Sequence, residues 1–142
     1  MFRTEVKNGV PLRLSGLLDD PAIAHGFSTR LGGVSPAPWD SLNLDDRRGD
    51  DLANVQENFR RLCAALDVDV RRVVLSRQVH RADVRAVTSA DCGKGLWTPQ
   101  DYDSADALIT DQPHIPLVVF SADCNVILLH DPVRRAVGAA HA

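Results

Sequence analysis

Between Ala105 and Ala140 the chain passes through four short apolar stretches, ADALIT, LVVF, VILLH and AVGAA, separated by Asp, Pro and other polar residues. Runs this short are below the length of an ordinary helix, and their bounding turn residues mark them as strands. Asp131 and Pro132 supply a turn between the last two, so VILLHDPVRRAVGAA is expected to form a hairpin. The fold must therefore contain a substantial sheet. Upstream, the β-branched run RRVVLSRQV (71–79) ends at His80, and Val84–Val87 is expected to continue it or pair with it. Val10–Phe27 carries apolar patches around Pro11, Pro21 and Gly26 and is expected to make one or two edge strands with turns.

One segment carries helical periodicity. Within Asp51–Leu66 the apolar residues fall at Leu52, Val55, Phe59, Leu62, Cys63 and Leu66, which trace one face of a helix. Asp50 or Asp51 is expected to cap its N-terminus, where a carboxylate accepts an orphan N–H and suits the positive end of the dipole. On that face Cys63 is core. Ser28–Asp50, STRLGGVSPAPWDSLNLDDRRGD, is too long and irregular for a simple connector, and loops of that size usually have a task. Thr88–Asp103 is expected to be a polar surface loop. The class is mixed α/β, and the 142 residues are expected to be one domain.

Composition excludes several functions. The chain is 44% apolar and 25% charged, which separates it from disordered proteins. Its 16 basic and 19 acidic residues leave a net charge of −3, so the clustered basic surplus of a nucleic-acid partner is not expected. No apolar run approaches the roughly 20 residues that span a bilayer. The N-terminus, with Glu5 and no apolar core before Gly16, does not read as a signal peptide, so the expected location is the cytoplasm. Cys63, Cys92 and Cys124 are odd in number and widely spaced, and are expected to be reduced thiols. The apolar final segment AVGAAHA lacks a polar closing end, which suggests that the chain stops inside a fold.

His80, Cys124 and His141 each follow an apolar run read as a strand, and strand ends of one sheet can converge. Two imidazoles and a thiolate suit zinc, and three protein ligands leave a fourth position open, as in catalytic sites. Copper accepts the same set. The spacing matches no recognised zinc signature, so from spacing alone a buried thiol and two unrelated surface histidines account for these residues better than a joint site does.

Local motifs add more. QVH (78–80), ADALIT (105–110), ADC (122–124) and GAAHA (138–142) follow HGFSTRLGGVS (25–35), SLNL (41–44) and GDD (49–51) in an order similar to that of the laccase-domain family, also called multicopper polyphenol oxidases or YfiH-like proteins. The resemblance runs from His25 to the last residue. It implies a mixed-sheet α-β-β-α sandwich of the YfiH-like type, a single laccase domain of which residues 1–142 are an N-terminal portion, because the family motif AAHAGWRG stops here at AAHA. It also implies a metal, usually zinc, held by His80, Cys124 and His141.

The activities the resemblance implies are phosphorolysis of adenosine, inosine or methylthioadenosine and deamination of adenosine. Alternatives are copper-dependent oxidation of phenols, hydrolytic editing of peptidoglycan precursors, and an inactive fragment that holds metal poorly. The implied partners are a small nucleoside and phosphate. Cys124, Asp123 and Gln78 are the candidate catalytic residues, with Gln78 orienting His80 or touching substrate. If strand alternation holds, Asp123 points away from Cys124. Arg30 is the candidate phosphate contact, with Ser28, Thr29 and Asn43 as further hydrogen-bonding groups. Asp106 reads as a turn residue or as the carboxylate behind a ligating His.

Weaker signals remain. DYDSAD (101–106) resembles a calcium loop but lacks its glycine and closing Glu. Cys92 reads as an incidental surface thiol, with a reactive one as the alternative. His25, His114 and His130 show no partner in sequence. Against the family pattern, Arg47 stands at a usual His, Arg81 at a usual Gly and Val126 at a usual Pro, so any role of the His is lost or changed, and Arg81 alters the charge beside QVH.

Overall fold

The first two strands, β1 (Phe2–Lys7) and β2 (Val10–Ser15), form an antiparallel hairpin that turns at Asn8 and Gly9, both at positive φ. They open a computed structural model that describes every residue from Met1 to Ala142. β3 (Phe27–Ser28) adds to the far side of β2. β2 is therefore the central strand of three, not an edge as its short apolar patches suggested. Its alternation does the work of a central strand: Val10, Leu12 and Leu14 all point into the core, while β1 is largely exposed.

That core is closed by the one α-helix, α1 (Leu52–Leu66), whose Leu62 and Ala65 pack with Val10, Leu12, Leu14 and Leu42. Asp51 is the N-cap, its side chain accepting the Ala53 N–H at 2.9 Å. Asp67, in the left-handed conformation, ends the helix. Phe59 is fully buried, a contribution of about 2–3 kcal/mol. Cys63 is core as expected, and burial pushes its thiol up to about 12. The helical face is not wholly apolar: Asn58 has no exposed surface, whereas Leu52 at the first turn is half in solvent.

Asn58 explains the long loop before the helix. Its amide oxygen accepts the Val34 N–H at 2.8 Å, and its nitrogen donates to Ser35 Oγ at 2.8 Å and to the Asn43 carbonyl at 2.7 Å. Buried Asp50 completes the network, accepting from Ser35 Oγ (2.6 Å), Asn43 Nδ2 (3.0 Å), Asn54 Nδ2 (3.1 Å) and the Asp51 N–H (2.8 Å). Gly33 sits where the loop touches this network. A Cβ there would overlap the Ser41 carbonyl oxygen and lie 2.5 Å from Asn58 Oδ1. The GGVS, SLNL and GDD motifs are thus the parts of one buried polar knot. All of this lies in the first of two compact units, Met1–Val70.

In the second unit, Arg71–Ala142, six strands form two sheets. β4 (Val74–Leu75) and β7 (Leu117–Val118) pair in parallel. β5 (Val84–Ala86), β6 (Ala107–Thr110), β8 (Val126–Asp131) and β9 (Ala136–His141) form a mixed sheet in the order β5-β6-β9-β8. The expected hairpin is β8 with β9, and the Asp131 carboxylate accepts the Val133 and Arg134 N–H groups in its turn. Two expectations fail. Regular strand covers only Val74–Leu75 of the 71–79 run, and β5 pairs with β6 rather than with it. The β-branched residues Val73 and Val74 are there for burial, and Val74 packs with Val87, Ala105, Leu108 and Ile115.

Residues 88–103 are likewise not a mere surface loop. Asp91 and Leu96 are buried, and Cys92 is packed partly into the core instead of lying on the surface. Burial alone would raise the Asp91 carboxyl, but Lys94 and Arg85, at 2.8 and 2.6 Å, together with the Thr88 N–H hold it far below the usual range. The mixed α/β class is as expected, and no helix is long and apolar enough to cross a membrane.

Candidate metal centre

Asp106 enters this region fully buried, immediately before β6, with its carboxylate surrounded by N–H donors. Oδ2 accepts the backbone N–H groups of Val79 (3.0 Å) and Arg81 (3.1 Å), and Oδ1 accepts that of His80 (3.0 Å). Three successive amides that converge on one anion form a nest, a conformation that needs alternating backbone handedness. His80 supplies it, with φ 61 in the left-handed region. His80 therefore does not terminate a strand as the sequence suggested. It sits in a loop whose shape is set by the carboxylate beneath it.

The same carboxylate reaches the last strand. His141 Nδ1 lies 3.0 Å from Asp106 Oδ1, and the His141 backbone N–H donates to the Asp106 carbonyl at 2.8 Å. Burial by itself raises the Asp106 carboxyl. The Val79 N–H, His141 and the Arg81 and His80 N–H groups outweigh it and hold the group at about 2. An ionised carboxylate only accepts, so His141 donates through Nδ1–H, and Nε2 is the nitrogen that offers an electron pair in the neutral ring.

Cys124 arrives from the other side of β9. Residues 122–124 are bends rather than strand, so the alternation expected to turn Asp123 away from Cys124 does not operate. Asp123 is exposed, and Cys124 is half-buried. The bend is pinned at both ends. Ser121 Oγ donates to the Cys124 carbonyl at 2.7 Å, and Asn125 exchanges backbone hydrogen bonds with Ala142 at 3.0 and 2.9 Å. Further upstream Gln78 clamps the segment: its Oε1 accepts the Phe120 N–H at 2.6 Å and its Nε2 donates to the Phe120 carbonyl at 2.9 Å. Gln78 thus grips backbone.

The result is that His80, Cys124 and His141 place one ligand atom each within 4.8 Å of one another. Cys124 Sγ is 3.8 Å from His80 Nε2, and the two imidazoles meet edge to face with centroids 4.9 Å apart. Metal bonds of 2.0–2.3 Å to nitrogen and sulfur put neighbouring donors roughly 3–4 Å apart. The 3.8 Å Sγ–Nε2 separation lies in that range, and the donor chemistry fits such an ion.

The candidate phosphate contacts belong to the other unit. Arg30 is an exposed guanidinium 3.0 Å from Asp40, and Thr29 Oγ1 accepts the Leu31 N–H at 3.2 Å. Ser28 is an exposed residue of β3, opposite Leu12. Asn43 is held by Asp45 and Asp50 in the buried knot. Arg47 folds back on Asp45. Asp101 pairs with Lys94 while Asp106 serves the nest, so DYDSAD is no calcium loop. His25, partnerless in sequence, accepts the Ser15 N–H through Nε2 at 2.9 Å.

The nest around Asp106 was the feature hardest to find in sequence. Its signal is only an Asp before a strand and three residues, Val79 to Arg81, with no hydrogen-bonding side chain required of them.

Residues 24–142 match the family model described as multi-copper polyphenol oxidoreductase laccase. The chain is 40% identical over 117 residues to the purine nucleoside phosphorylase of Streptomyces coelicolor, covering 82% of this chain and 46% of that protein. It is 41% identical over 121 residues to the purine nucleoside phosphorylase of Deinococcus radiodurans, covering 85% of this chain and 44% of that one. The crystal structure of the hypothetical protein YfiH of Bacillus licheniformis superposes with a TM-score of 0.84 at 32% identity, over 99% of this chain and 51% of that one. The chain thus spans about half the length of the proteins it matches.

Proposed function

The chain belongs to the multi-copper polyphenol oxidoreductase laccase family, and from that premise we propose that it carries the zinc centre of a purine nucleoside phosphorylase. The observation that carries this reading is the convergence of His80, Cys124 and His141 within 4.8 Å in a chain 40% identical to a protein of that name. Two imidazole nitrogens and one thiolate are the donor set of a catalytic zinc site. When bound, zinc supplies a Lewis acid that stabilises negative charge developing on an oxygen of substrate.

The chain's own residues account for the rest. Asp106 fixes the His141 ring and leaves Nε2 facing the other ligands. Gln78 holds the Phe120 backbone and so the approach to the Cys124 bend. Asp123, exposed beside Cys124, is positioned to carry a proton to or from solvent. Arg30, whose partner Asp40 is itself exposed, is available to exchange that carboxylate for phosphate, with Ser28 and Thr29 adjacent in sequence. The proposed reactions are phosphorolysis of adenosine, inosine and methylthioadenosine, and deamination of adenosine. Cys63, Cys92 and Cys124 are free thiols, which fits a reducing compartment and a cytoplasmic location.

The test uses the purified 142-residue chain. Metal analysis is expected to give stoichiometric zinc, lost in His80→Ala and Cys124→Ala. Inosine and phosphate are expected to yield hypoxanthine and ribose 1-phosphate in the zinc form. Unchanged metal content in both variants overturns the site. Oxygen uptake with a phenol, only in a copper-loaded form and without nucleoside turnover, overturns the nucleoside reading in favour of the oxidase.

A further inference from the structure

We infer that Asp106 is a positioning residue that locks the two histidine ligands into a single unit, by gripping His80 through its backbone and His141 through its ring. The inference rests on the metal reading above and deepens it. A carboxylate behind a ligating imidazole ordinarily orients one ring. Here Oδ1 accepts both the His80 N–H and the His141 Nδ1–H, each at 3.0 Å, so the two ligands share an acceptor atom. Oδ2 holds the residues on either side of His80, at Val79 and Arg81. The His141 main chain is docked to the same residue through the Asp106 carbonyl. Two ligands far apart in sequence are thus referenced to one buried side chain.

Chemistry makes the arrangement hard to imitate. Asparagine has the same shape but a single acceptor oxygen, and its NH2 faces donors where Asp106 presents its second oxygen. With its oxygen at the Oδ1 position it keeps the His80 N–H and the His141 ring but turns its NH2 against the Val79 and Arg81 N–H groups; flipped, it keeps those two and opposes both ligand contacts, so either orientation leaves two donors opposed. Glutamate keeps both oxygens but carries them one methylene further, past donors that already lie 3.0–3.1 Å from the aspartate oxygens. Neither change removes a hydrogen bond of Cys124, whose partners are Ser121 and His80.

The experiment compares the wild-type chain with Asp106→Asn, using circular dichroism as the folding control. Zinc and cobalt(II) titrations are expected to show affinity weakened 10–100-fold in Asp106→Asn, with an altered cobalt–thiolate absorption band. A folded Asp106→Asn that binds as wild type does, with the same band, overturns the inference and leaves the metal reading intact. A wild-type chain that loads no ion overturns the metal reading itself.

Two measurements on the metal-free wild type stand apart from metal affinity and from the folding of the variant. Nitrogen-15 spectra of the histidine rings are expected to show His141 as the Nδ1–H tautomer. Hydrogen exchange is expected to show protected amides at Val79, His80 and Arg81. The opposite tautomer, or three amides exchanging as fast as an open loop, overturns the inference whether or not Asp106→Asn folds.

Discussion

Asp50 and Asp106 are both buried aspartates with four hydrogen-bond donors, one in each compact unit, yet they do different things. The donors to Asp50 are a serine hydroxyl, two asparagine amides and one backbone N–H, drawn from a loop and the start of α1. Together they hold the loop against the start of α1. The donors to Asp106 are three backbone amides and an imidazole. That imidazole has a second nitrogen, and the backbone belongs to another imidazole. The same electrostatic device closes a loop in one unit and positions the proposed metal ligands in the other. What separates structure from function here is the chemistry left on the donors, not the burial or the ionisation of the acid.

The strongest way to test that contrast is to remove each acid. Asp106→Ala leaves three amides and a ring N–H buried without an acceptor, and each such loss costs about 1–3 kcal/mol. Urea unfolding should show a loss of about 4 kcal/mol, with metal binding gone. Asp50→Ala should cost about 3 kcal/mol and leave metal stoichiometry unchanged. If Asp50→Ala empties the metal site as completely as Asp106→Ala, the contrast is wrong.

Gly33→Ala sharpens the same point without touching a charge. Its methyl group collides with the Ser41 carbonyl, so a loss of about 2 kcal/mol is expected, of the size seen for overpacked sites. Metal content should again be unaffected, which fluorescence-monitored unfolding and metal analysis read in parallel.

Acid separates the two carboxylates from ordinary ones. Both are held below the usual value near 3.8, Asp106 at about 2. A depressed acid contributes stability that is fully present above its unfolded value and is lost as pH falls through its folded one. Stability of the metal-free chain should therefore decline between about pH 4 and pH 2. In Asp106→Asn the slope over that interval should be shallower, and an unchanged slope contradicts the assigned ionisation.

The smallest effect is expected at Arg30. Its exposed pair with Asp40 is worth less than about 0.5 kcal/mol, so Arg30→Ala should unfold almost as wild type does. Its mark should instead be a several-fold higher KM for phosphate at unchanged kcat. An unchanged KM removes Arg30 from the phosphate contacts.

How much of this was legible beforehand depended on whether a residue's role is local. The helix from Leu52 and its Asp51 cap follow from spacing within one segment, as does the β8–β9 hairpin. β2 reads as an edge in the sequence because neither of its neighbours, β1 and β3, has a strong apolar run. The three ligands were legible as residue types, and their motifs matched a family, but convergence depends on pairings such as β6 with β9. Asp106 was legible only as a possibility. Its partners are backbone amides, and every residue except proline has one, so sequence carries almost no trace of which are used.

The left-handed torsion at His80 has a consequence for which amino acids position 80 can accept. A positive φ is tolerated by glycine and, among residues with a Cβ, most readily by asparagine, aspartate and histidine; β-branched residues resist it. The position is therefore filtered twice, by handedness and by ligand chemistry, and histidine passes both filters. Asparagine passes only the first and valine neither. His80→Asn is accordingly a clean deletion of the ligand with the turn preserved, while His80→Val removes turn and ligand together. The difference in stability between those two variants isolates what the backbone shape alone is worth.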